Sequence, residues 1–264
     1  MSDAQSEKTR VVAVANQKGG VGKTTTAINL GTALAAVGRK VLLIDLDPQG
    51  NATTGLGIVK GDSEYTTYDL LTGTDLADVA IETQVPNLFI TPSTQDLSSA
   101  DMDLMNDPQR LRKLRNALSG SNRFEYVLID CPPSLNLLTI NAMVAADSVL
   151  VPLQCEFFAL EGLSQLMSSI REIKQTLNPT LKMQGIVLTM YDQRNNLSGQ
   201  VEEDVRNNLG DLVYETIIPR NVRLSEAPSH SMPALIYDHK SAGSIAYQKL
   251  AAELLRRMED NVAA

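Results

Sequence analysis

Short apolar runs alternate with longer amphipathic segments along nearly the whole chain. The apolar runs are typical of buried strands and cover residues 11–15, 41–44, 88–90, 126–129, 148–151, 183–190 and 213–217. Segments with helical spacing cover residues 24–37, 108–118, 135–146, 160–177, 200–209 and 243–258. Strands that alternate with helices favour a mostly parallel sheet with helices on both faces. The sequence therefore predicts a doubly wound α/β fold.

The chain has 264 residues, of which 43% are hydrophobic, and this is enough for one sizeable core. No internal repeat, linker or low-complexity segment divides it. We therefore predict a single domain over residues 1–264, with a disordered tail at residues 1–10. Residues 60–85 have the weakest pattern and are expected to form a surface excursion.

A glycine-rich segment, Q-K-G-G-V-G-K-T-T-T at residues 17–26, lies between the first predicted strand and the first predicted helix. A phosphate-binding loop requires this order, because glycines let backbone N–H groups face an anion and the helix N-terminus attracts it. Lys23 is expected to reach the β- and γ-phosphates, and the Thr24 hydroxyl is expected to hold Mg²⁺. The residues predicted to bind the nucleotide here are Gly19, Gly20, Val21, Gly22, Lys23, Thr24 and Thr25.

The loop departs from the ordinary pattern G-x-x-x-x-G-K-[ST] at its first position, Gln17, and carries an additional lysine, Lys18, before the glycine pair. In this respect it resembles the deviant Walker A loop of the ParA/MinD family of ATPases. The resemblance implies a P-loop NTPase fold of the deviant Walker A type. It also implies that Lys18 reaches across a dimer interface to phosphates bound by the other subunit, so that Lys18 and Lys23 are both catalytic.

Three aspartates, Asp45, Asp47 and Asp130, follow apolar runs at the strand ends where doubly wound sheets bind ligands. ATP hydrolysis needs a group that positions the attacking water and charge that holds Mg²⁺. Asp45 and Asp47 share one face of an extended segment, and one of them is expected to meet the water. The resemblance makes Asp47, in switch I, the catalytic carboxylate and Asp45 a support for the metal. It makes Asp130, in the D-x-P-P run of switch II, the Walker B residue that contacts Mg²⁺ through water.

The sequence also bears on the choice of base. The guanine-reading motif N-K-x-D is absent. The segment Pro219, Arg220 and Asn221 resembles the adenine-side loop of the family. ATP is therefore the predicted nucleotide, with Mg²⁺ as its metal.

Four further runs resemble the ParA/Soj chromosome-partition branch of the family: D-P-Q-G-N at 47–51, C-E-F-F-A-L-E-G-L at 155–163, L-T-M-Y-D at 188–192 and I-P-R-N-V-R-L-S-E-A-P-S-H at 218–230. The resemblance implies an ATPase, weak alone, whose ATP-bound homodimer binds double-stranded DNA without sequence preference. Hydrolysis stimulated by a ParB-type centromere-binding protein would release the DNA. Such a cycle would segregate chromosome origins or plasmids.

The formal net charge of −8 argues against general affinity for nucleic acid, so a DNA surface requires basic residues gathered on one face. The resemblance places DNA contact at Arg194 and Arg223, with Lys240 and Lys249 as weaker candidates. Residues 1–10 are too few for a helix-turn-helix domain. We therefore do not expect the larger plasmid type, which represses its own operon through such a domain.

The sequence favours a cytoplasmic, nucleoid-associated protein that does not bind membrane. No apolar run is long enough to span a bilayer, and residues 1–10 lack the apolar region of a secretory signal. The two cysteines, Cys131 and Cys155, are expected to stay reduced.

Three alternatives stay open. A MinD-like positioning ATPase would bind membrane through a C-terminal helix with a basic polar face, whereas this tail carries Glu259 and Asp260. A non-hydrolysing scaffold would use ATP only to dimerise or polymerise, and it would not need Asp47. An iron–sulfur reductase of the nitrogenase iron-protein type would share the loop, but no cluster-type cysteine spacing is present.

Overall fold

Strands and helices alternate along the protein, as the sequence predicts, in a computed structural model that describes residues 9–157 and 159–263, the last four by their backbone alone. The strands are β1 (Arg10–Val14), β2 (Val41–Asp45), β3 (Ile81–Glu82), β4 (Leu88–Thr91), β5 (Tyr126–Asp130), β6 (Ser148–Gln154) and β7 (Lys182–Thr189). The helices are α1 (Lys23–Ala36), α2 (Asn51–Gly55), α3 (Thr67–Thr72), α4 (Leu76–Val79), α5 (Ala100–Asp103), α6 (Lys113–Leu118), α7 (Leu137–Ala145), α8 (Ala159–Thr176), α9 (Asn196–Leu209), α10 (Val222–Glu226), α11 (Ala234–Tyr237) and α12 (Ala242–Ala263).

In the described residues the strands form one seven-stranded sheet in the order β3-β4-β2-β5-β1-β6-β7. All neighbouring strands are parallel except β3 and β4, an antiparallel pair at the edge. After β1, the chain forms β2, β3 and β4 on one side of β1 and then β5 directly beside it. Strands β6 and β7 follow on the other side of β1. Ligands of such sheets bind at the carboxyl ends of the strands where the order reverses, which here means β1 and β5.

Both faces of the sheet are buried. Val11 and Ala13 belong to one apolar cluster with residues of α7 and α8, whereas Val12 and Val14 belong to a second cluster with residues of α1 and α12. Successive side chains of a strand point to opposite faces, so strands covered on both faces are apolar throughout. The predicted doubly wound fold with helices on both faces is confirmed.

The prediction of a strand at residues 213–217 is wrong, because in the described residues this segment makes one isolated bridge to β7, from Val213 to Ile186, instead of a ladder. The Tyr214 N–H donates to the Ile186 carbonyl of β7 (2.8 Å), but the next two N–H groups bond to a side chain. The buried carboxylate of Glu253, on α12, accepts hydrogen bonds from the Glu215 N–H (2.8 Å) and the Thr216 N–H (2.9 Å). A side chain thus takes the donors that a strand ladder would need.

The predicted disordered tail extends too far along the chain. Arg10 is the first residue of β1, and the Thr9 hydroxyl donates a hydrogen bond to the Phe124 carbonyl (2.7 Å). The prediction for residues 1–10 is therefore wrong at its last two residues. Residues 1–8 lie outside the described part of the chain.

The segment at residues 60–85 contributes several residues to the core. It contains α3, α4 and β3, and Leu70, Leu71 and Val79 are buried in the same cluster as α7. The expectation of a surface excursion is wrong for these residues, whose apolar positions are too few for a clear period.

Helix α12 packs on the core. Leu250 and Leu254 are fully buried, and the Thr26 and Tyr247 hydroxyls, 3.1 Å apart, join α1 to α12.

None of the helices in the described residues has both the length and the apolar character needed to cross a membrane.

Candidate nucleotide site

Side chains fix the loop between β1 and α1 at both of its ends. The Asn16 amide donates a hydrogen bond to the Pro152 carbonyl in β6 (2.8 Å) and accepts one from the Lys18 N–H (3.0 Å). At the other end, the hydroxyl of Thr189, the last residue of β7, donates a hydrogen bond to the Val21 carbonyl (2.9 Å). The loop is therefore held against the ends of β6 and β7.

The turn into α1 requires glycine. Gly20 and Gly22 have φ angles of 76° and 89°, in the left-handed region that side chains with a Cβ rarely adopt. Gly22 is the N-cap of α1, and no side chain of the described residues caps this helix end. Its first N–H groups are thus available to an anion, which the helix dipole also attracts.

Lys23 begins α1 and lies almost buried inside the loop, with 7% exposure. Its ammonium donates a hydrogen bond to the Lys18 carbonyl (2.8 Å). Burial lowers the pKa of Lys23, and the charges of Asp130 and Asp47 oppose this shift. The structure therefore brings this lysine together with two of the three predicted carboxylates.

Asp45 anchors helix α2. Its carboxylate is fully buried at the end of β2 and accepts hydrogen bonds from the N–H (2.8 Å) and hydroxyl (2.6 Å) of Thr53 and from the Asp47 N–H (3.3 Å). Burial raises the pKa of Asp45 to about 6, although the hydrogen bonds from Thr53 lower it. The carboxylate positions α2, and its support of a metal stays a prediction.

Asp47 belongs to a tight turn that leads into α2. Its carboxylate accepts a hydrogen bond from the Gln49 N–H (2.9 Å), and its carbonyl accepts from the Gly50 N–H and the Ser93 hydroxyl (both 2.8 Å). Gly50 has a φ of 60°, and a Cβ at this position would lie 2.7 Å from the Ser93 carbonyl. The turn therefore requires glycine, and it holds Asp47 at the edge of the loop.

Asp130 ends β5 level with Asp45 in the sheet register. Both of its carboxylate oxygens are buried, and neither has a hydrogen-bond partner among the described residues. Burial, followed by the charge of Asp45, holds the pKa of Asp130 well above its ordinary range, while the Thr24 hydroxyl and Lys23 ammonium act in the opposite direction. Buried polar groups are normally paired, so this carboxylate fits a bound cation.

Pro219, Arg220 and Asn221 lie beside the strand end that contacts the loop. Pro219 forms a β-bridge with Tyr191, just after β7, and the Arg220 N–H donates to the Tyr191 carbonyl (2.9 Å). The Asn221 side chain caps α10. A Cβ built on Gly22 would contact the last residue of β7, so this strand end and the phosphate loop are neighbours.

Arg194 and Arg223 are both paired with carboxylates of their own chain. Arg194 is 88% exposed and makes two hydrogen bonds to Asp192 (3.0 and 2.9 Å), which lower the pKa of Asp192 to about 2. Arg223 pairs with Glu226 (2.8 Å) and Asp238 (3.3 Å). The charges of the two predicted DNA-binding arginines are therefore largely compensated.

A groove of about 900 Å³ gathers several of the basic residues. Arg194, Arg220 and Lys249 line it, between the end of β7 and α12. Arg223 and Lys240 are not part of its lining, and the Lys240 N–H donates a hydrogen bond to Asp238 (3.2 Å). The structure thus brings together Arg194 and Lys249 but adds Arg220, which the sequence assigned to the nucleotide.

Three residues of the site were missed at the level of sequence: Asn16, Thr53 and Glu156. Asn16 fixes the loop, Thr53 holds Asp45, and Glu156 forms an ion pair with Lys18. Asn16 follows the first strand directly, a position that could have suggested a role in the loop. Thr53 and Glu156 act over distances along the chain that no local pattern records.

Comparison with known proteins gives consistent matches. Residues 9–183 match a family model described as an AAA domain. The chain is 58% identical to the chromosome partitioning protein ParA of Caulobacter vibrioides over 96% of this chain and 97% of that protein. It is 51% identical to the sporulation initiation inhibitor protein Soj of Bacillus subtilis over 93% and 98%. A solved structure of cobyrinic acid a,c-diamide synthase from Mycobacterium smegmatis, with bound ADP and magnesium, aligns with a TM-score of 0.83 at 39% identity, covering 96% of this chain and 97% of that one.

Proposed function

Because the chain belongs to the ParA/Soj family of chromosome-partitioning ATPases, we propose that it binds ATP with Mg²⁺, closes into a homodimer and binds DNA in that state. Hydrolysis, weak alone and stimulated by a ParB-type centromere-binding protein, releases the DNA. The cycle segregates chromosome origins or plasmids on the nucleoid, in the cytoplasm. The observation that carries the proposal is the buried carboxylate of Asp130 beside Lys23, whose oxygens have no hydrogen-bond partner in the described part of the chain.

The donor atoms at this site suit Mg²⁺. Proteins hold this ion through one or two carboxylates together with the phosphates of a substrate. Asp130 and the Thr24 hydroxyl would hold it here, with Asp45 fixing the strand end next to them. When bound, the ion neutralises charge on the phosphates. The ADP and magnesium of the Mycobacterium smegmatis structure support the assignment.

Lys23 and the N–H groups of the loop bind the phosphates. To do so, the Lys23 ammonium exchanges the Lys18 carbonyl for a phosphate oxygen. Asp47 accepts a hydrogen bond from the attacking water and orients it toward the γ-phosphate. This contact is made with the water and not with the nucleotide, so it contributes to hydrolysis and not to ATP binding.

Asp47→Ala is expected to bind ATP, to form the dimer and to remain in it. The substitution removes the group that orients the water, and it leaves Lys23 and the loop intact. Size-exclusion chromatography over hours after ATP is added measures this, since wild-type protein returns to monomer as ATP is consumed.

The control for this experiment is Asp101→Ala, which removes an exposed aspartate from helix α5. It is expected to return to monomer at the wild-type rate. If Asp47→Ala also does so, Asp47 does not position the water. If wild-type protein stays monomeric with ATP, the dimer is not part of the function.

The groove lined by Arg194, Arg220 and Lys249 is the proposed seat of the DNA backbone. Phosphates are bound by arginines and lysines that release counterions, and this contact does not depend on base sequence. Dimerisation doubles the number of such residues on one assembly. This explains how a protein of net charge −8 can bind DNA only in its dimeric state.

Asp192→Asn is expected to strengthen ATP-dependent binding to duplex DNA. It releases the Arg194 guanidinium, which Asp192 now holds through two hydrogen bonds. Arg194→Ala is expected to weaken binding to all sequences alike and to reduce the salt slope by about one unit for each lost phosphate contact. Salt titrations with two unrelated duplexes, with ATP and with ADP, measure both effects.

The matched control is Asp204→Asn, which removes the same charge from an exposed position on α9. A general change in net charge would strengthen DNA binding equally in both variants. Equal binding by Asp192→Asn and Asp204→Asn would therefore exclude the release of Arg194 as the cause.

A further inference from the structure

The side chain of Lys18 is engaged within its own subunit. Its ammonium forms an ion pair with the carboxylate of Glu156, and the two side chains are 45% and 31% exposed. Glu156 lies between β6 and α8, where its N–H donates to the Gln154 carbonyl and its carbonyl accepts from the Ala159 N–H, both at 3.0 Å. These bonds fix the backbone from which the Glu156 side chain extends toward Lys18.

The backbone of Lys18 is fixed as well. Its N–H donates to the Asn16 side chain (3.0 Å), and its carbonyl accepts from the Lys23 ammonium (2.8 Å). Asn16 is bound in turn to β6, the strand that leads to Glu156. Lys18 and Glu156 thus face each other from two segments that are tied to the same strand.

We infer that Glu156 is a positioning residue that holds Lys18 on its own subunit until nucleotide bound by a second subunit displaces the carboxylate. The inference rests on the proposed ATP-dependent dimer. A partly exposed ion pair between single charges is weak. The phosphates of a nucleotide carry more charge than one carboxylate and offer more acceptors, so they outcompete Glu156. Without them, Lys18 stays away from the dimer interface.

The first test measures Lys18 directly, without nucleotide. The protein is treated with a limiting amount of acetic anhydride, and acetylation of each lysine is quantified by peptide mass spectrometry. Glu156→Gln keeps the shape of the side chain and removes its charge, so Lys18 is expected to react faster than in wild-type protein. Glu156→Asp, which keeps the charge but shortens the side chain, is expected to lie between the two.

Two internal controls accompany this measurement. Lys240, an exposed lysine elsewhere, is expected to react at the same rate in all proteins. Glu161→Gln removes an exposed carboxylate from the first turn of α8 and is expected to leave Lys18 at the wild-type rate. Equal Lys18 reactivity in wild-type protein and Glu156→Gln would overturn the inference.

The second test measures dimerisation by sedimentation velocity over a range of ATP concentrations. Glu156→Gln is expected to dimerise at lower ATP concentration than wild-type protein, because no carboxylate competes for Lys18. A midpoint that is unchanged or higher would overturn the opposing role of Glu156. If wild-type protein does not dimerise with ATP at all, the proposed function fails, while the acetylation result still decides whether Glu156 holds Lys18.

Discussion

Lys23→Ala is expected to weaken the binding of ADP with Mg²⁺ by on the order of 100-fold. The Lys23 ammonium is nearly buried inside the loop, where a phosphate can replace the Lys18 carbonyl as its acceptor. A hydrogen bond to a charged group contributes about 3 kcal/mol at most, which corresponds to roughly two orders of magnitude in affinity. Isothermal titration calorimetry measures the change, and ADP keeps binding separate from hydrolysis and from the second subunit.

Lys18→Ala is the matched comparison, since it removes the other lysine of the same loop. The Lys18 ammonium is directed to Glu156, and only its backbone carbonyl contacts Lys23. This variant is therefore expected to bind ADP with wild-type affinity while losing ATP hydrolysis and dimerisation. Retained affinity in Lys23→Ala, or an equal loss in both variants, would contradict the separate roles of the two lysines.

The phosphate loop and the strands beside it could be predicted because their determinants are local. Gly20 and Gly22 meet a backbone requirement that the sequence displays directly, and buried strands such as β2 and β5 are apolar on both faces. The carboxyl ends of these strands meet at one edge of the sheet. The meeting of Asp45 and Asp130 therefore follows from strand order once the fold is known.

The remaining features depend on contacts between distant residues. Residues 213–217 have the apolar pattern of a strand, but Glu253, on a helix that begins well beyond them, binds the N–H groups of Glu215 and Thr216. The resemblance of its motif assigns Arg194 to DNA binding, but it does not show that Asp192 compensates the charge of this arginine. The Lys18–Glu156 pair likewise joins two segments that no spacing relates.

Asp130→Asn is expected to stabilise the nucleotide-free protein and to remove the stabilisation that Mg²⁺ adds to bound ADP. In wild-type protein the carboxylate is buried with neither oxygen paired among the described residues. Asparagine has a similar shape and carries no charge. Its amide is still polar and buried, so the gain comes only from the missing charge: the free energy of unfolding is expected to rise by about 1.4 kcal/mol for each pH unit between the ordinary carboxyl pKa and the raised folded-state pKa.

The raised pKa of Asp130 determines how the stability difference between wild-type protein and Asp130→Asn changes with pH. A carboxyl whose pKa is higher in the folded protein than in the unfolded chain makes wild-type protein less stable as pH rises through that range. Asparagine does not titrate. The advantage of Asp130→Asn is therefore expected to be full above the folded-state pKa and to disappear as pH falls toward about 4, the ordinary value for aspartate.

Urea unfolding in EDTA at several pH values measures the stability of the nucleotide-free protein. Thermal unfolding with ADP, with and without Mg²⁺, measures the stabilisation that Mg²⁺ adds to bound ADP. Asp45→Asn is the matched control, because Asp45 is equally buried on the neighbouring strand but accepts hydrogen bonds from Thr53 and Asp47. An amide has only one acceptor oxygen, so it cannot accept both from Thr53 on one side and from the Asp47 N–H on the other, and this variant is expected to be less stable than wild-type protein at neutral pH. If Asp130→Asn is also destabilised, or if Mg²⁺ still stabilises its ADP complex as in wild-type protein, Asp130 is a structural carboxylate and does not hold the metal.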